Sequence, residues 1–413
     1  MALIQPITTN MADLKKTIFK RIIPGNLSTY FDWREAKGEK DKFVRFGDDN
    51  RFPEQTIDLY NKSSIHAAAV NAITEAVIGL GLTADDESVL EYANTAGETW
   101  NDIYSKVALD YKLHGSFSLE VIWSNDRSRL DVYHIDFSHI RAKEKDSRGM
   151  IPGYYVSSDW NKIGTYRESV TNEEALYLPV YNPLKKDEEA HQIFVHRNYR
   201  PGQSYYPLPD YVGAYRVIEL DTEIDNFHTN NIKNGLAPSL SITTFTNGSD
   251  DQLKDIQLQL NSNYGGSENA GSLMFMDVAS KEEAPIITPI PNNSNDTYYT
   301  TINDMVSQKI LTAHRITSPM ILGIKTSGQL GGRAEVIDAY LLFQNTVVTP
   351  YQQDILSSLE LLIDNNYPDT VLGVEQRKLY SDGDEDTEIV TDTDTTAQED
   401  ADIQQEESAP ILA

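Results

Sequence analysis

The chain has 413 residues, 39% of them hydrophobic and 24% charged, with a formal charge of -28 and no cysteine. That composition supplies enough apolar side chains for a sizeable core, and the length allows two or three domains. It excludes disulfides, thiolate metal sites and cysteine nucleophiles, and the acidic balance argues against a sequence-specific DNA binder, which needs clustered lysine and arginine.

A protein that merely surrounds DNA is not excluded by the charge. No run of about 18 apolar residues occurs, and Met1-Ala2-Leu3-Ile4-Gln5-Pro6 lacks a basic region followed by an apolar one, so neither a membrane span nor a secretory leader is expected. The lack of cysteine fits maturation in a reducing cytoplasm. The acidity is partly local: twelve carboxylates follow Tyr380 without one basic residue, which leaves -16 for the rest of the chain.

Residues 1 to 55 combine charge with Pro24 and Gly25 and few periodic apolar positions, and read as an arm with little core of its own. From Ser64 the pattern becomes helical: Ile65, Ala69, Ile73, Val77 and Leu80 share a face, Ser63 or Ser64 caps the start, and Gly79 and Gly81 end it. A second helix carries Trp100, Ile103, Val107, Tyr111 and His114 on one stripe and stops at Gly115. The period then shortens to two, with Phe117, Leu119, Val121 and Trp123 alternating, followed by strands around 132 to 135, 154 to 158 and 193 to 196. Residues 56 to 205 are therefore predicted as an α+β unit, helices first and sheet after, closed by Pro201 and Gly202.

Beyond Pro207 and Pro209 a long helix is expected from Tyr211 to about Lys233, ending at Asn234-Gly235. Val217, Leu220, Ile224 and Phe227 follow one another at intervals of 3, 4 and 3, the spacing of a narrow helix-packing seam, although an ordinary amphipathic helix has the same pattern. Residues 237 to 292 return to short apolar runs, a β-rich insertion with one helix near Leu253 to Leu260. Another helix follows from about Asp296 to Ile316, and Pro319 stops it. The stretch from Ser318 to Gly332 holds four glycines and reads as a mobile loop. Val336, Ile337, Tyr340, Leu341, Gln344 and Val347 form the next helix, interrupted by Pro350 and continued through Ile355, Leu359, Leu362 and Ile363. The Thr-, Asp- and Gln-rich tail after Gln376 lacks the apolar area to offset its chain entropy, and disorder is expected there.

No enzymatic motif survives inspection. Gly323-Ile324-Lys325-Thr326 superficially suggests a phosphate loop, but an isoleucine separates glycine from lysine and position 318 is serine where the first glycine belongs. Serine elbows and dinucleotide fingerprints are missing too. The eight histidines, His66, His114, His134, His139, His191, His196, His228 and His314, are scattered, and no two stand four apart around a carboxylate, so metal, cofactor and catalytic residues are all expected to be absent.

The order of the elements carries a signal of its own. Ser64-Ile65-His66-Ala67-Ala68-Ala69-Val70 through Ile78-Gly79-Leu80-Gly81-Leu82 opens it, and Asp110-Tyr111 to His114-Gly115-Ser116 follows, with Tyr133-His134-Ile135-Asp136, Ser138 and Arg141 behind. Next comes His196 to Pro207-Leu208-Pro209 and the long helix into Asn234-Gly235-Leu236-Ala237-Pro238. Last is Ile310 to Arg315, Ile316-Thr317-Ser318-Pro319, Leu322-Gly323, the glycine-rich loop and a helix reaching Pro350. Over residues 56 to 370 this succession resembles the portal proteins of tailed bacteriophages. The chain departs from that pattern at Tyr206-Pro207, where glycine is commoner, and at Ile316 and the single Pro319, where an aromatic residue and two prolines are usual.

The resemblance implies an α+β portal fold and a ring oligomer, typically of twelve subunits. Its parts would be an arm (1 to 55), a wing (56 to 205), stem helices (206 to 236 and 296 to 317), a clip (237 to 295), a tunnel loop (318 to 333), C-terminal wing and crown helices (334 to 375) and an acidic tail (376 to 413). The first stem helix, over 208 to 235, would be about 40 Å long. Lys325, Thr326, Gln329 and Arg333 become candidates for the DNA-channel loop, although ordinary surface charge is the first reading of Lys325 and Arg333, and Val217, Leu220, Ile224 and Phe227 become stem-packing candidates. Implied partners are copies of the chain, double-stranded DNA contacted without sequence preference, the terminase large subunit, a head-tail adaptor and the major capsid protein. The expected location is a capsid vertex of the virion, after assembly in the host cytoplasm. Two alternatives stand beside this one, another ring-forming head-tail connector and a nucleotide-using packaging enzyme.

Overall fold

In the computed structural model the described residues are 34–36, 42–160, 163, 175–234, 238–244, 272–277, 296–316, 318–322 and 333–377. Two adjoining apolar cores organise them. The first begins with helix α2 (Ser64–Ile78) and helix α3 (Trp100–His114), which pack their apolar stripes together. Ser63 caps α2, its hydroxyl accepting the His66 amide at 3.2 Å. Thr99 and Asp102 cap α3 reciprocally, the Asp102 amide donating to Thr99 Oγ1 and the Thr99 amide to Asp102 Oδ2. Gly115 then ends α3 in the left-handed region at φ 73°, with its own Cα face against the chain: a Cβ there would lie 2.6 Å from the Leu208 carbonyl oxygen.

Strand β4 (Ser116–Trp123) leaves that turn and is flanked antiparallel by β5 (Leu130–Ile135) and β9 (His191–Arg197). Its alternation puts Phe117, Leu119, Val121 and Trp123 into the first core. A second sheet, in the order β6 (Ile140–Ala142), β7 (Gly153–Val156) and β8 (Leu176–Pro179), lines the second core. Helices first and sheets after is the predicted order for this region.

Residues 42 to 55 are not the loose arm expected from their composition. Strand β1 (Glu35–Ala36) pairs with β2 (Arg45–Phe46), and helix α1 (Phe52–Lys62) follows with Pro53 in its first turn. Phe46 stacks on Tyr206 at 4.3 Å between centroids, and Phe52 on Tyr215 at 5.3 Å. These few aromatics bury as much as a longer periodic run would, and so escape a search for periodicity.

Helix α4 (Tyr215–Asn234) follows a 3-10 turn at Asp210–Ala214, and helix α5 (Asp296–Ala313) packs beside it. The α-helical part of α4 has 20 residues and is thus about 30 Å long, shorter than the sequence estimate because Pro209 and Gly213 hold its first turn in the tighter form. Strands β10 (Pro238–Thr244) and β11 (Ser272–Asp277) pair in parallel between the two helices in sequence. The expected helix near Leu253 to Leu260 lies outside the described residues.

Helix α6 (Arg333–Phe343) continues into helix α7 (Thr349–Ile363) through a π turn at Gln344–Val348. Pro350 was expected to interrupt this run, and the wider turn absorbs it instead. Proline removes the bond to the carbonyl four residues back, that of Thr346, and the Arg315 guanidinium donates to that carbonyl. After α7, β12 (Leu372–Glu375) returns to pair with β3 (Gly81–Ala84), a closure no periodicity announced.

Candidate functional site

Where α4 and α5 enter the body, α4 packs against α1 and α5 against α2. Tyr215, Ile218, Val306 and Ile310 are buried in the second core. Val217, Leu220 and Ile224, three of the four stem-packing candidates, are half-buried along the edge of that face, together with Ile302 and Ala313. Phe227 is 43% exposed, because the later turns of α4 leave the body. The face turned inward is centred on Tyr215, Ile218 and Asp221 rather than on the apolar stripe. Asp221 occupies it because the Ser63 hydroxyl at the cap of α2 donates to its carboxylate at 2.7 Å, while burial pushes its carboxyl up.

The junction holds an unusual set of buried polar groups. Lys112 on α3 is wholly buried, and its Nζ donates to the two carboxylate oxygens of Asp210 at 2.8 and 3.1 Å. The same ammonium lies 5.4 Å from the ring centres of both Tyr211 and Tyr351. Beside it, His66 Nδ1 and His314 Nε2 share a hydrogen bond of 2.9 Å, and Tyr211 packs against both imidazoles. Burial, with Lys112 nearby, drives His66 down to about 3 and His314 well below the ordinary histidine value, so both are neutral. Tyr211 also donates to the Leu113 carbonyl, and Thr56 and Tyr215 share a 2.9 Å hydroxyl bond. Charge-assisted bonds at buried positions orient their partners sharply, so this network fixes how the long helices leave the body. A cleft of about 270 Å³ opens next to it, lined in part by Tyr111, Arg200, Arg315, Tyr351 and Asp354.

A second cluster forms behind α3. Asp110, His114 and Asp136 each bring one possible ligand atom within 4.8 Å of the others. Asp110 Oδ2 accepts from His134 Nε2 at 2.8 Å and from the Phe137 amide at 3.1 Å, and Asp136 Oδ1 accepts from the Ser138 amide at 2.8 Å. Burial raises the Asp136 carboxyl, but Ser138 and the adjacent His114 and His139 outweigh it and hold the group below its usual range. The scatter of histidines along the sequence gave no hint of this group, since Asp136 joins it only through the pairing of β5 with β4. Asp110 and His114, four apart on α3, were the one legible part.

Of the channel-loop candidates, Lys325, Thr326 and Gln329 lie outside the described residues. Arg333 is the first residue of α6. Neither Lys112 nor Asp210 was singled out by sequence.

No family model and no curated protein matches the sequence. Solved structures do. The chain is similar to one in the virion of a native gene transfer agent particle, at 14% identity and a TM-score of 0.51, over 87% of this chain and 91% of that one. It is similar to one in the neck of a native gene transfer agent particle computed with C12 symmetry, at 14% identity and a TM-score of 0.50, over 92% and 93%. The chain shares its fold with these particle components. A crystal structure of an HK97 family phage portal protein from Corynebacterium diphtheriae also aligns, at 12% identity and a TM-score of 0.43, over 76% of this chain and 93% of that one. The resemblance drawn from the order of elements is supported by the two likenesses of fold to gene transfer agent particles. The buried polar network lies where α4 and α5, which the resemblance implies to be stem helices, join the body beside α2 and α3.

Proposed function

We propose that this chain is a portal subunit: a structural protein that closes with copies of itself, about twelve in number, into a ring at one capsid vertex and lets double-stranded DNA pass in during packaging and out during ejection. The observation that carries this reading is the likeness of fold, over 92% of the chain, to a component of a particle neck computed with C12 symmetry.

Residues 56 to 205 with the C-terminal helices are assigned to the wing, 206 to 236 and 296 to 317 to the stem, 237 to 295 to the clip, and 318 to 333 to the tunnel loop. Val217, Leu220, Ile224 and Phe227 are assigned to stem packing, Phe227 toward a neighbouring copy because it is exposed in a single chain. Lys325, Thr326, Gln329 and Arg333 are assigned to the channel. The charge of -28 suits a conduit. Carboxylates repel phosphates and let a duplex slide, whereas a basic wall would release counterions and hold it. Terminase, a head-tail adaptor and the major capsid protein are the partners this role requires, and no catalytic step belongs to it.

Electron microscopy of the purified protein tests the reading. Closed rings with a central hole are expected, and a chain that remains monomeric at every concentration, with and without particle components, would overturn it. Deleting Thr326 to Gly331 is expected to leave rings intact and to reduce packaged DNA in complementation. Normal packaging by that variant would remove the loop from the channel.

A further inference from the structure

We propose that Asp110, His114 and Asp136 bind one divalent transition cation, of the Zn2+ or Mn2+ class, which ties the last turn of α3 to the segment joining β5 and β6. Their three ligand atoms lie within 4.8 Å of one another. Donor atoms about 2.0 to 2.2 Å from a metal can be no more than about 4.4 Å apart, so sub-ångström side-chain shifts complete the site.

His114 gives the independent indication of a ligand. Its residue is only 3% exposed, and neither ring nitrogen hydrogen-bonds to another described residue. Its nitrogens are not among the side-chain atoms sealed off without a partner, so they border a small space that water or an ion can enter. One of its ring nitrogens lies within 4.8 Å of a carboxylate oxygen of each aspartate. Both carboxylates are held for the purpose. Asp110 spends Oδ2 on His134 and the Phe137 amide, and its Oδ1 takes no bond from a described residue. Asp136 is fastened through Oδ1 by the Ser138 amide. Carboxylate ligands tethered by outer partners such as His134 are the usual construction of a metal centre.

Charge points the same way. Arg141, a buried cation, already pairs with Glu54 at 3.0 Å, and the partners of the two aspartates are imidazoles and backbone amides, so a divalent ion would supply the fixed positive charge the pair lacks. One imidazole and two carboxylates, without thiolate, suit zinc or manganese better than the harder magnesium or calcium.

The test uses the full chain, stripped with chelator and titrated with ZnCl2 and with MnCl2 by calorimetry, with bound metal measured by elemental analysis and melting followed by circular dichroism. One ion per chain is expected, with a melting point higher by about 5 °C at a metal concentration roughly 100 times Kd. Asp136→Asn keeps the acceptor for Ser138 and is expected to bind at least tenfold more weakly, His114→Phe likewise, while His191→Asn binds as wild type does. If His114→Phe does not fold, Asp136→Asn decides. Binding of equal strength in Asp136→Asn would mean an adventitious surface ion. No binding by the wild type, with His114→Phe melting higher, would mean a hydrated void. Either result overturns the site.

Discussion

The pair formed by Lys112 and Asp210 predicts that its two halves are not equivalent. The Lys112 side chain is 0% exposed and that of Asp210 is 26% exposed. Removing the carboxylate strands an ammonium that no water reaches, whereas removing the ammonium leaves a carboxylate at the edge of the cleft that can hydrate. Breaking a buried pair so that a charge is stranded costs about 3 to 5 kcal/mol, and Asp210→Asn is expected in that range. Lys112→Met keeps the packing of the alkyl stem between Tyr211 and Tyr351 and is expected to cost about 1 to 2 kcal/mol. At roughly 2 to 4 °C per kcal/mol these become melting-point losses of about 10 °C and about 4 °C. Urea denaturation monitored by circular dichroism would give the free energies. The double variant should lie close to Lys112→Met, because the second change removes the charge that the first stranded. Equal losses for the two single variants, or a larger one for Lys112→Met, would show that packing and not stranded charge governs the junction.

Three further outcomes are expected. His66 and His314 stay neutral in the fold with proton affinities held below the unfolded value of 6.5. The unfolded chain therefore binds more protons below that pH, so stability is full above about pH 7 and falls by up to about 1.4 kcal/mol per unit for each histidine as pH drops through 6.5 toward 3. Denaturation at pH 7 and pH 5 should show a shallower dependence in His66→Gln/His314→Gln, and an unchanged slope would locate the titration elsewhere. Gly115→Ala places a methyl 2.6 Å from the Leu208 carbonyl oxygen at a positive φ. It should cost more than about 1 kcal/mol in a urea titration. Arg315→Ala leaves the Thr346 carbonyl beside Pro350 without its donor. A loss of about 1 to 3 kcal/mol is expected, and a neutral result would mean that water serves the carbonyl equally well.

What the sequence by itself determined is local or periodic. The cap at Ser63, the glycine stop at Gly115, the two-residue alternation of β4 and the length of α5 all follow from contacts within a few residues, so their signals lie side by side in the chain. The order of these elements was enough to point to a portal-type fold without any match of sequence. Tertiary structure alone decided the rest. Lys112 meets Asp210 from 98 residues away and His66 meets His314 from 248. Asp221 turned inward on α4 because Ser63 was there to bond it, displacing the apolar stripe to the edge. Phe46 and Phe52 entered a core because Tyr206 and Tyr215 came to lie over them. In each case the energy belongs to a pair whose members have no fixed spacing, so neither member alone distinguishes a buried site from a solvated surface.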